Sequence, residues 1–256
     1  MIEILQWSTL ATCGLIAAAR IPSALRGENR SLFYIFALMT AAIFLSIEAP
    51  YMAVDAALGG INLANLLLRF IIFAAIYFVG IRVTRGFGAD HAYRLITGRL
   101  GMMVLLVISL VMTILFFLMD TVGSSAGLSA TSGKSELNFI LVEYYGAAGR
   151  AYPSYVSVVL IPAMVRAVGS RLPVLVRLAA GLLALGGMAI ALTLLFPVVP
   201  PEWGALEFVV NYTAVLCFIL GLALIWAARV KNSRSPGRKG HLPKRNLPGF
   251  HKNIRM

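Results

Sequence analysis

The sequence predicts an all-α, polytopic membrane protein: seven transmembrane helices, with the N-terminus outside and the C-terminus in the cytoplasm. Three observations predict it. The 256 residues are 60% hydrophobic and only 12% charged, about half the charge of a soluble domain. Seven apolar stretches are long enough to cross a hydrocarbon core about 30 Å thick. Finally, the basic residues keep to alternate connections. Of 22 Lys and Arg, 19 fall in the first, third and fifth loops and the C-terminal segment. Lys and Arg accumulate on the cytoplasmic side of membrane proteins, so this asymmetry sets the orientation and requires an odd number of spans.

The first span is expected at about 2–20. No basic segment precedes it and the apolar run continues past Cys13, so it reads as a span and not as a cleaved leader. Arg20, Arg26 and Arg30 mark the first cytoplasmic loop. The second span, 31–49, leads to an outer loop with Asp55, and the third span is 61–81. Arg82, Arg85, Arg94 and Arg99 return the chain to the cytoplasmic side before the fourth span, 100–120. The next outer loop holds Lys134 and Glu136. Span five, 137–165, ends at a third basic loop with Arg166, Arg171 and Arg177. Spans six and seven are expected at 174–196 and 206–228, flanking Glu202.

Two units follow: a transmembrane domain, 1–230, and a basic tail, 231–256. From Arg229 onward there are nine basic residues and no acid. Such a segment buries too little apolar surface to fold alone. Its charge suits anionic lipid headgroups or an acidic cytoplasmic protein partner. The net charge of +12 lies beside the spans, which argues for lipid and against nucleic acid.

Two basic residues break the pattern, Arg69 and Arg150, each within an apolar stretch. A charged group at membrane depth costs at least ~2.5 kcal/mol, so it normally faces a bundle interior or a wet cavity. Helix rise places Arg69 about 20 Å and Arg150 about 24 Å from the cytoplasmic ends of their spans. Asn62, Asn65 and Arg69 are spaced to share a helix face, as are Glu143, Ala147, Arg150, Ser154 and Ser157. Asn211 of span seven lies at a similar depth, about 27 Å from Arg229. Pro153 removes a donor to the carbonyl of Gly149 and predicts a kink or hinge beside Arg150. These residues have two main readings, beside snorkelling of both arginines to the outer headgroups. One is a structural ion pair, with Glu143 or Glu48 neutralising an arginine. The other is an outward-opening pocket for a small anionic or zwitterionic ligand, built from Asn62, Asn65, Arg69, Glu143, Arg150 and Asn211. The planar guanidinium fork suits carboxylate and phosphate.

Other chemistry finds little support. His91, His241 and His251 all lie outside the spans, which speaks against haem or His-based zinc sites in the membrane. No cofactor is called for and no catalytic motif appears, so the chain does not read as an enzyme. The rhodopsins share the seven-helix layout, but their retinal needs a Lys in the last helix, and 206–228 has none.

Arg20 to Arg30 and the run Gly59 to Arg69 resemble stretches in actinobacterial seven-helix membrane proteins of unknown function, some of them labelled transporters. The resemblance covers mainly the first three spans. It implies a multi-pass protein of the bacterial cytoplasmic membrane. The functional expectation is a transporter or permease. The alternative is a membrane sensor or interaction protein acting through a separate cytoplasmic partner.

Overall fold

The computed structural model describes residues 2–27, 30–125 and 128–198, together with part of 209–228. All elements among these residues are helical: α1 (Ile2–Leu25), α2 (Arg30–Ser46), α3 (Glu48–Ala57), α4 (Leu63–Phe87), α5 (Asp90–Thr97), α6 (Arg99–Leu118), α7 (Ser129–Ser132), α8 (Glu136–Val168) and α9 (Val174–Leu192), followed by a 3-10 turn at Thr193–Val198. Five segments are long and apolar enough to cross a membrane: Gln6–Leu25, Leu63–Phe87, Arg99–Leu118, Glu136–Val168 and Val174–Leu195. A sixth crossing is added if α2 and α3 are counted as one broken span.

That break is the main departure from the expected spans. The second stretch was expected to run straight through 31–49, but α3 leaves α2 at 92°. The cause lies in Pro50. Its ring clashes with the carbonyl four residues earlier and it has no N–H to donate, so α2 stops at Ser46. Ile47 adopts an extended conformation (φ −85°, ψ 132°). Pro50 then falls in the first turn of α3, where a missing N–H is tolerated. The third span also runs longer than expected, to Phe87, and the loop after it contains a helix of its own, α5.

α8 is the centre of the bundle. It packs against α4, α5, α6, α7 and α9, while α1 packs on α2 and α2 on α4. At 33 residues it is about 50 Å long, so it must tilt or protrude from a 30 Å core. Its apolar contacts include Tyr152, Val156, Leu160 and Met164, which join Phe73, Met112, Phe116 and Leu183 in the core. Small residues allow the closest approaches. A Cβ on Gly80 of α4 would sit 3.1 Å from both Ile96 and Val156. The stretch 206–228 expected as span seven, and with it Asn211, lies largely outside the described residues. Those of its residues that are described are helical. Gly221 lies so close to α9 that a Cβ there would come within 2.8 Å of Leu183.

One end of the bundle carries Arg85, Arg94, Arg99, Arg166, Arg171 and Arg177. Arg85 donates a 3.0 Å hydrogen bond to the Tyr93 hydroxyl and stands 5.2 Å from its ring. That bond holds the half-buried Tyr93 phenol below its ordinary pKa of 10.0. Tyr155 of α8 ties this end together by donating to the Leu95 carbonyl at 2.8 Å.

Candidate functional site

At the opposite end, the loop between α3 and α4 is fastened by two buried side chains. The Asp55 carboxylate accepts from the backbone N–H of Asn62 at 3.0 Å, from the N–H of Ala64 at 3.0 Å and from the Ser124 hydroxyl. It satisfies N–H groups that α4 leaves open at its start, where negative charge also complements the helix dipole. Asn62 has left-handed backbone (φ 60°), which Asn tolerates better than most residues. Its Oδ1 accepts from the Tyr51 hydroxyl at 2.8 Å and from the Ser125 N–H at 2.9 Å. Its Nδ2 donates to the carbonyls of Thr121 and Gly123, both at 2.9 Å. With 0% exposure and all side-chain bonds made, Asn62 has no polar atom left for a ligand. Its role is to lock α3 and the 121–125 loop onto α4.

Below this lock, α4 and α8 run parallel and in register. Tyr145 donates to Oδ1 of Asn65 at 3.1 Å. One turn deeper, the Arg69 guanidinium packs over Gly149, where a Cβ would meet Nη1 at 3.1 Å. Its Cζ is 5.8 Å from the Tyr145 ring centroid. Deeper again, Phe73 faces Tyr152 with ring centroids 5.3 Å apart. Asn65 and Tyr145 are buried and Arg69 is half-buried. The α8 residues of this seam, Tyr145, Gly149, Tyr152 and Val156, recur at helical spacing and form one face.

Arg150 belongs to a different face. At 3.6 residues per turn it lies about 140° around α8 from Tyr145. The residues below it on its own stripe, Ser154 and Ser157, point to α9. Ser154 donates to the Ile190 carbonyl at 3.0 Å, and a Cβ on Gly187 would be 3.7 Å from Ser157. Arg69 therefore packs on the Gly149 face of α8, while Arg150 starts at a similar depth from the face that carries Ser154 and Ser157. Glu143 and Glu48, the expected neutralising acids, are both exposed. Among the described residues, no carboxylate forms an ion pair with Arg69. α8 remains helical through Pro153, which leaves the Gly149 carbonyl without its usual donor beside the Arg69 contact. Tyr145, Tyr152 and Gly149 were not singled out as ligand-facing residues. The signal for them was the seven-residue tyrosine spacing on the face carrying Gly149.

Lys134, in the connection between α7 and α8, is engaged in structure. Its Nζ meets Asp120 Oδ1 at 2.9 Å and the carbonyl of Val122 at 2.6 Å. Among the described residues, no three His, Cys, Asp or Glu side chains are grouped to hold a metal. No family model, no curated protein and no solved structure matches this chain.

Proposed function

We propose that this chain is a seven-span protein of the bacterial cytoplasmic membrane, N-terminus outside, that binds and translocates a small anionic or zwitterionic solute along the α4–α8 seam. One observation carries the reading: Arg69 is half-buried within an apolar helix and has no carboxylate partner among the described residues. A membrane-embedded cation without a fixed counter-charge favours a mobile one. A carboxylate or phosphate would match its planar fork. Asn65 and Tyr145 hold the seam in shape above it, and the missing hydrogen bond between Pro153 and the Gly149 carbonyl supplies a local weakness in α8. The charge asymmetry of the loops supports the orientation.

The test is uptake by proteoliposomes of labelled acetate, lactate, succinate, phosphate and glutamate, comparing the unaltered chain with Arg69→Gln and Arg69→Lys. Arg69→Gln should lower uptake of the transported solute at least tenfold, with Lys retaining part of it. Equal uptake by Arg69→Gln, with an unchanged thermal transition, would sink the reading.

A further inference from the structure

The Tyr152 hydroxyl is a buried donor that packing does not explain. The residue is 0% exposed, and its oxygen has no hydrogen-bond partner among the described residues. Phe73 and Tyr155 flank the ring, with centroids 5.3 and 6.4 Å away. A phenylalanine would fill this space equally well. The parallel register of α4 and α8 makes the contrast sharp. Tyr145 finds Asn65. Seven residues deeper on α8, Tyr152 faces Phe73, which offers no acceptor. The Tyr152 ring packs on Phe73, one turn below Arg69 on α4.

We propose that Tyr152 is a second solute-contacting group, and that the seam takes an anion bearing an additional uncharged oxygen, of which a hydroxycarboxylate is the simplest. The proposal rests on the anion reading of Arg69. The carboxylate lies on the Arg69 guanidinium. The hydroxyl oxygen accepts the Tyr152 proton one turn deeper, between the rings of Phe73 and Tyr145. Entry opens the seam at the unbonded Gly149 carbonyl, one turn before Pro153. No bond is made or broken.

Matched probes test this: lactate against propionate, and malate against succinate, each read by proteoliposome uptake and by thermal shift of the purified protein. The unaltered chain should prefer the hydroxylated member of at least one pair. Tyr152→Phe should reduce that preference roughly tenfold, the worth of one good hydrogen bond, while its own thermal transition stays level or rises. Tyr145→Phe, which strands Asn65, should lower the transition. Arg69→Gln should weaken both members of the pair together. If Tyr152→Phe keeps the preference while Arg69→Gln loses uptake, Tyr152 is not a contact and only the Arg69 reading stands. If Arg69→Gln changes nothing, that reading fails with it. A chain that takes neither pair, or treats both members alike, overturns the hydroxycarboxylate assignment. A lowered transition in Tyr152→Phe shows the hydroxyl to be structural and also overturns it.

Discussion

The Arg69 guanidinium rests on the backbone of Gly149, so close that a single added methyl would sit 3.1 Å from its Nη1. Glycine serves there by its small size and not by its backbone angle. Gly149→Ala asks the arginine to shift by a few tenths of an ångström and should be tolerated within about 1 kcal/mol. Gly149→Leu overpacks the seam and should destabilise by roughly 1–3 kcal/mol. Thermal unfolding in detergent reads both. A Leu variant as stable as the parent would mean that the two helices are not in this register.

The Asp55–Asn62 lock predicts a graded series. Asp55→Asn turns one acceptor into a donor facing N–H groups and should cost about 3 kcal/mol. Asn62→Gly loses the side-chain bonds but keeps the left-handed backbone. Asn62→Ala loses the bonds and adds about 1–2 kcal/mol of backbone cost. The transitions should fall in the order parent, Gly, Ala. If Ala were the more stable of the two, residue 62 would not hold a positive φ.

What could be read in the sequence follows from what one-dimensional spacing encodes. Apolar length located five of the expected spans, and polarity marked Arg69 and Arg150 as exceptions. Depth along a helix is also readable, and it placed the two arginines at one level. Azimuth is readable too: Tyr145 and Gly149 share one face of α8, while Arg150 and Ser154 share another. The partners of those faces depend on helix order around α8, which no local pattern states. Asp55 looked like an ordinary loop acid because its partners, Ser124 and the start of α4, converge only after the 92° turn at Ile47. Pro50 signalled that turn, but only to a reading that allowed α2 to stop short.

Acid should weaken the connection between α6 and α8. Lys134, and next the N–H of Val122, hold the exposed Asp120 carboxyl below its ordinary value of 3.8. A carboxylate whose folded pKa is depressed contributes stability above its unfolded pKa. That contribution is lost as pH falls through the folded value. The thermal transition should therefore drop below about pH 4. In Lys134→Met this acid-dependent increment should shrink, on top of a lower starting value from the lost bonds to the Asp120 and Val122 carbonyls. An identical acid profile in parent and variant would remove the pair from the loop's stability.

The packing of Arg69 on one face of α8 and the start of Arg150 from another predict energetic independence. Groups that do not share partners change binding and stability additively to within about 0.5 kcal/mol, while groups in one site couple. A double-mutant cycle with Arg69→Gln and Arg150→Gln, read by solute-dependent thermal shift, measures the coupling directly. On this arrangement, Arg69→Gln alone removes the solute response. Arg150→Gln leaves the solute response in place, and the double variant responds as Arg69→Gln does. A coupling of more than about 1.4 kcal/mol, a tenfold change in affinity, would place both guanidinium groups on one solute. It would restore the single pocket that their common depth suggests.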